Sequence, residues 1–253
     1  MLKRLVISAI AALAALAAAA QNDAQFSQYY EIPNLYNPAA IGLTDNIRLR
    51  GAGRLQWLGI DGAPRTFLFA GDMPFKLFNR RFGTGLVLQQ ETIGLYSSLN
   101  LNAQIAYKLR KFGGEFTGAL QIGMYDQRFK GSEVYLPDGD DYHQSGDEAI
   151  PTTDLHGTAL DLGAGIFFNR KTWYAGISMT HLTAPAIKMG GENGGAGNDE
   201  NIYEFHAPRT LYFTAGGNIP LKNTLFEVMP SLLAKTDFSF WSAEATIRAR
   251  YNR

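Results

Sequence analysis

The stretch from Leu95 to Leu109, LYSSLNLNAQIAYKL, decides the fold. From Tyr96 onward polar and apolar residues alternate. Ser98, Asn100, Asn102, Gln104 and Lys108 point one way; Leu99, Leu101, Ala103, Ile105, Tyr107 and Leu109 point the other. A two-residue period is the signature of an extended strand with unlike faces. Such a strand suits a sheet with hydrocarbon on one side and water on the other. Most of the chain repeats the pattern, so the expected fold is all-β, a closed transmembrane β-barrel.

Composition agrees with this and excludes other classes. The 253 residues suffice for one large β domain or two small ones. Lys and Arg number 23 against 23 Asp and Glu, so no whole-chain field points to nucleic acid. There is no cysteine, which removes disulfides, thiolate metal sites and the lipoprotein route. Aromatic residues at 12% and 27 glycines fit aromatic girdles and tight turns. Charged residues at 18% are few for a protein wetted on all sides.

Met1 to Ala20 reads as a cleaved secretory signal peptide. Lys3 and Arg4 lead, Leu5 to Leu16 is a short apolar core, and Ala18-Ala19-Ala20 precedes Gln21. No later segment approaches 18 unbroken apolar residues, so no helical span is expected. An exported chain without helical spans, yet with apolar strand faces, is either soluble or an outer-membrane barrel. The next stretch, Asp23 to Gly42, has neither strand nor helix periodicity. Pro33 and Pro38 break regular pairing, and Asn37-Pro38 favours a turn. Phe26, Tyr29, Tyr30, Leu35 and Tyr36 are nevertheless too apolar for solvent. Residues 21–45 are therefore expected to be an ordered periplasmic segment that plugs or caps the barrel end, with residues 46–253 as the barrel.

Asp23, Gln25-Phe26-Ser27-Gln28-Tyr29, Pro33 and Tyr36-Asn37-Pro38-Ala39, followed by Gly42, Arg54, Gln56-Trp57, Pro64 and Thr66, resemble the opening of the PorP/SprF family of type IX secretion system outer-membrane proteins. The resemblance is close over roughly the first third and continues as strand pattern. Ala24 stands where the family often has proline, and the family is usually longer. The resemblance implies a role in type IX secretion in bacteria that export surface adhesins and glide. It implies two kinds of partner: the secretion machinery in the periplasm and outer membrane, and the C-terminal sorting domain of a secreted adhesin or other cargo. On this reading the motif residues set the plug and the docking geometry and carry no chemistry.

Ile47 to Trp57 alternates without a slip. Ile47, Leu49, Gly51, Gly53, Leu55 and Trp57 share one face; Arg48, Arg50, Arg54 and Gln56 share the other. One Arg on the lipid face near the midplane costs about 2–4 kcal/mol, and three about 6–12 kcal/mol, so this face looks into the lumen. The other strands are expected over Arg65–Met73, Phe82–Glu91, Tyr96–Leu109, Glu115–Phe129, His156–Phe168, Trp173–Leu182, Arg209–Ile219, Phe226–Asp237 and Ser242–Tyr251, about ten in all. Arg65–Met73 and Phe82–Glu91 alternate less cleanly. Ten residues at about 3.3 Å, tilted roughly 40–45°, rise about 24 Å, close to an apolar band of about 25 Å. The chain stops at Tyr251-Asn252-Arg253, without a final lipid-facing strand ending in an aromatic residue. That leaves open a small ten-stranded barrel or a larger barrel cut short.

Short connections (Lys111 to Gly114, Asn169 to Thr172, Pro220 to Thr224) alternate with long ones (Lys130 to Leu155, Thr183 to Pro208). Barrels of the outer membrane keep short turns in the periplasm and long loops outside. The short-turn side holds Lys76, Arg80, Arg81, Arg110, Lys111, Arg170, Lys171 and Lys222. The first long loop holds Glu133, Asp138, Asp140, Asp141, Asp147, Glu148 and Asp154; the second is glycine-rich from Gly190 to Gly197.

Each of these features has a plain reading beside a functional one. Asp138, Asp140 and Asp141 are oxygen donors for calcium, but the full EF-hand pattern is absent and a solvated loop explains them better. The basic rim either faces lipid headgroups or docks an acidic partner. The lumenal cations Arg48, Arg50 and Arg54 either pair internally with Glu91 or Glu115, or select anions or hold a guest segment. A hydrolase needs Ser, His and an orienting group. His156, His181 and His206 lie near outer strand ends, but Ser178 and His181 are three apart and expected on opposite faces. No GxSxG and no nucleotide or metal motif occurs, so no enzyme activity and no cofactor are expected. The alternatives to a secretion component are a general diffusion channel and an exported soluble β-sandwich that binds a ligand.

Overall fold

The computed structural model describes residues 24–134, 151–191, 203–221 and 225–251. Its strands are β1 (Arg48–Leu55), β2 (Arg65–Leu77), β3 (Arg80–Ile93), β4 (Tyr96–Lys111), β5 (Gly114–Phe129), β6 (Leu155–Asn169), β7 (Trp173–Thr180), β8 (Ala186–Gly191), β9 (Tyr203–His206), β10 (Thr210–Gly217), β11 (Ile219–Pro220), β12 (Phe226–Thr236) and β13 (Trp241–Tyr251). The long strands pair antiparallel in the order β1-β2-β3-β4-β5-β6-β7-β10-β12, with β13 on the far side of β12. These are the ten strands expected from alternation. The additions are β11, a short annex to β12, and the hairpin β8–β9, which grows from the second long loop and lays Gly190 and Gly191 against His156 and Leu155.

The two faces follow the sequence pattern. In β4, Asn102, Gln104, Ala106 and Lys108 are buried, while Ala103, Ile105, Tyr107 and Leu109 are exposed. In β5, Thr117 and Gln121 are buried while Phe116, Leu120, Ile122 and Met124 are exposed. An outward face so thick with Leu, Ile and Phe is untenable in water and natural in lipid. Aromatic residues exposed near its two borders form belts: Trp57, Tyr96, Phe238 and Trp241 at one end, Phe78, Phe112, Trp173 and Tyr251 at the other. No helix is long and apolar enough to cross a membrane.

β2 and β3 read poorly in sequence for a physical reason. Their inward residues Leu68, Ala70 and Val87 are apolar too, because they pack against Phe26 and Ile32 of the N-terminal segment rather than against water. β2 also runs through Pro74, opposite Gly83, past its expected end at Met73.

The expectation of closure is corrected. Among the described residues β1 pairs only with β2 and β13 only with β12, so the sheet curls without its edges meeting. Curling is required nonetheless. Laid flat, nine interstrand gaps of about 4.8 Å would hold the two edges about 43 Å apart. Yet Leu35 packs with the cluster that Ala52 of β1 joins, and Tyr30, five residues earlier, lies under the Arg248 guanidinium of β13 at 3.7 Å.

The connections also differ in part from expectation. The turns at Phe78-Asn79 and Phe112-Gly113 have positive φ at both central residues, as two-residue hairpins require. These belong to the turn end of the sheet. The opposite, loop end has short connections too: β3 passes to β4 through Gly94-Leu95 alone, and β12 to β13 through residues 237–240.

Candidate functional site

The lumen is occupied by the chain's own N-terminal segment, which fills the interior rather than capping an end. It forms three short helical turns, Tyr29–Glu31, Pro33–Tyr36 and Pro38–Ala40. Pro33 and Pro38 start the second and third turns instead of breaking structure, since proline at the first helical position loses no hydrogen bond. The segment begins against Leu68 and Val87, passes Ala106, Ala119 and Phe167 at Ala39 to Ile41, and reaches Arg81 at Asp45.

Its grip is made residue by residue. The Asn37 side chain accepts from Ala39 N–H at 2.8 Å, capping the third turn, and its Nδ2 donates to the Ile166 carbonyl at 3.1 Å. It sits on Gly165 and Gly176, where an added Cβ would lie 2.3 Å and 2.7 Å from its amide atoms. Ser178 Oγ donates to the Tyr36 carbonyl at 2.6 Å. The Tyr36 ring meets Tyr29 and Tyr212 edge-on, and its hydroxyl accepts from Phe26 N–H at 3.2 Å. Tyr29 Oη donates to Ser231 Oγ at 3.0 Å. Gln104 Nε2 donates to the Asn34 carbonyl and to Gln121 Oε1, both at 2.8 Å. Ile41 is fully buried against Gly83 and Gly85.

Asp72 ties this segment to the first strand. Its carboxylate has no exposed surface. It accepts from Arg48 Nη2 at 2.6 Å, Arg50 Nη1 at 2.9 Å and the Gly42 N–H at 2.7 Å. The expectation that Arg48 and Arg50 pair with Glu91 or Glu115 is corrected, because register sets Arg48 opposite Asp72. Glu115 instead serves Lys108 at 2.7 Å, and Glu91 accepts from the Thr66 hydroxyl at 3.3 Å. Arg54 is half-buried on the same side of β1 as Arg48 and Arg50, in register with Thr66. Asp72 was detectable in sequence, since it shares parity with Thr66. Gly165, Gly176, Ser178 and Ser231 carried no such signal.

The other expected residues fall as follows. Phe26, Tyr29, Tyr36, Asn37, Pro38, Pro64 and Thr66 are buried, Gln25, Pro33, Arg54 and Gln56 half-buried, and Ser27, Gln28 and Trp57 exposed. Gln56 N–H donates to the Pro64 carbonyl at 3.1 Å, closing the first loop-end connection. Asp138, Asp140, Asp141, Asp147, Glu148, Lys222 and residues 1–20 lie outside the described residues. Of the acidic loop, Asp154 Oδ1 accepts from the Ser132 N–H and hydroxyl, which holds its carboxyl below the usual range.

The histidines do not converge. His156, facing outward, lies 2.6 Å from Asp126; His206 lies 3.5 Å from Glu204 on the hairpin. Ser178 and His181 were expected on opposite faces, but both are buried. His181 has φ of 52°, so it leaves the strand and turns inward to Asp161 at 3.1 Å.

A curled antiparallel sheet with a lipid-compatible outer face and its own N-terminal segment locked into the interior defines a plugged β-barrel-type membrane protein. Residues 18–253 match the sequence profile described as type IX secretion system membrane protein PorP/SprF, and the chain belongs to that family. Membership makes it a membrane component of the type IX secretion system; the family is not one of enzymes. Comparison with curated proteins finds no match.

Proposed function

We propose that this protein sits in the outer membrane, turn end toward the periplasm, after export by a cleaved signal peptide. There it joins the type IX machinery to the C-terminal sorting domain of a secreted adhesin or other cargo, as in gliding bacteria. The observation that supports a docking component over a diffusion channel is the N-terminal segment wedged through the lumen and bonded to strands near both edges. On this reading the buried motif residues Phe26, Tyr29, Tyr36, Asn37 and Pro38, with the half-buried Pro33, act by holding shape. The exposed Ser27, Gln28 and Trp57 are free to touch a partner. Gln25, Arg54, Gln56, Pro64 and Thr66 support them.

The test is replacement of Tyr36 and Asn37 by alanine in the full chain. The expected result is a membrane-inserted protein that no longer co-purifies with secretion partners. Unaltered co-purification overturns the docking reading. Planar-bilayer conductance of the wild type should stay near baseline; a stable open pore would favour the diffusion channel.

A further inference from the structure

At the turn end, where the N-terminal segment leaves the lumen, strand parity gathers basic side chains in one place. Arg81 and Lys108 are in register, as are Arg110 and Glu115, all on the inward face of β3, β4 and β5. Arg81, Arg110 and Glu115, with Lys111 at the end of β4 and Arg170 and Lys171 from the turn after β6, line a cavity of about 720 Å³. Its lining holds five cations against two carboxylates, Asp45 and Glu115. Both carboxylates are already engaged: Asp45 by Arg81 at 2.8 Å, Glu115 by Lys108 at 2.7 Å and Arg81 at 3.6 Å. Arg110, Arg170 and Lys171 make no ion pair among the described residues, and Lys111 sits 5.1 Å from the Phe112 ring. A concave mouth with surplus charge of one sign concentrates ligands of the other.

Two observations choose the occupant. Arg81 and Arg110 face the lumen, opposite to the exposed Phe116 and Leu109 that face lipid, so headgroups beside the barrel do not reach them. The cavity lies in the range of about 300–1,000 Å³ typical of sites for drug-sized ligands, room for a few side chains and far more than one inorganic anion needs. Paired arginines favour carboxylates, which they take up two hydrogen bonds at a time.

We propose that this mouth cavity binds an acidic polypeptide segment of a periplasmic partner, with Asp or Glu carboxylates paired to Arg110, Arg170 and Lys171. The inference rests on the docking role and membrane orientation proposed above and names the chemistry of one partner. Lys76 and Arg80, on the same end, lie outside the lining.

The test titrates fluorescein-labelled hexaglutamate against the full-length protein in detergent micelles by fluorescence anisotropy. Wild type should bind saturably, and added salt should weaken binding. R110E/R170E should weaken it about tenfold or more, and R110Q/R170Q by less. K130E/K188E, which makes the same net-charge change at the loop end, should stay within about twofold of wild type. The proposal is overturned by absence of wild-type binding, by equal loss in K130E/K188E, or by unchanged binding in R110Q/R170Q. Displacement by matched inorganic phosphate would reassign the cavity to a small anion, and displacement by phosphatidylglycerol in the micelles to a lipid headgroup. Co-purification from cells separates the two readings. If R110Q/R170Q loses the peptide but keeps the secretion machinery, this cavity proposal falls alone. If wild type binds the peptide but retains no machinery, the docking role falls.

Discussion

Gly165→Ala and Asn37→Ala, made singly and together, test whether the N-terminal segment is held by shape as well as by hydrogen bonds. Asn37→Ala removes the cap on Ala39 N–H and the donor to the Ile166 carbonyl. A lost cap costs about 1 kcal/mol and a hydrogen bond about 1 kcal/mol, so the total is about 2–3 kcal/mol with the lost packing. Gly165→Ala needs no unusual backbone, but its Cβ would lie 2.3 Å from Asn37 Oδ1 and 3.2 Å from its Cγ. Asn37 must then withdraw, at a similar cost of about 2–3 kcal/mol. With Asn37 gone, the tightest remaining neighbour is Ser178 Cβ at 3.1 Å, which a few tenths of an ångström relieves. The double variant should therefore cost little more than either single one, a coupling of about 2 kcal/mol, within the span for residues in contact. Equilibrium urea unfolding in micelles, followed by the fluorescence of Trp57, Trp173 and Trp241, measures it. Additivity within about 0.5 kcal/mol would refute the wedge.

Three further outcomes are expected. Asp72→Ala leaves Arg48 and Arg50 half-buried without their carboxylate and frees the Gly42 N–H. It should cost about 3–5 kcal/mol and open the segment to limited proteolysis, and a loss under about 1 kcal/mol would argue against Asp72 as the tie. Leu120→Arg on the outward face should cost roughly 2–4 kcal/mol in a lipid bilayer, so near-neutrality there would mean the face does not meet lipid. Asp154 should titrate below an ordinary carboxylate, because Ser132 donates to it twice and Lys130 adds a favourable charge. Its contribution to loop order is present above the ordinary carboxylate pKa and fades as pH falls through the depressed value. Following its carboxyl resonance by NMR, with Ser132→Ala returning it toward the ordinary value, checks the cause.

Much of the candidate site was legible as pattern and little as contact. Tyr36, Asn37 and Pro38 were marked by family resemblance, and Arg48, Arg50 and Arg54 by parity. The partners of these residues were not legible. Alternation gives the face a side chain occupies but not the register of the next strand, and register made Asp72, not Glu91 or Glu115, the partner of Arg48 and Arg50. His181 shows the limit of parity itself: expected on the face opposite Ser178, it is buried with it, because one left-handed residue at the end of β7 turns its side chain inward.

By itself the sequence determined the ten long strands, their inward and outward faces and the family, because a strand's two-residue period and the cost of charge in lipid act locally on every strand. Only the tertiary structure decided that the N-terminal segment fills the lumen. That outcome depends on glycines 83, 85, 165 and 176 standing where its side chains press, on strands far apart in the chain. Only the tertiary structure decided, too, that the scattered basic residues of β3, β4 and the turn after β6 surround one cavity. Curling the sheet sets the distances between strands, and no local pattern encodes them.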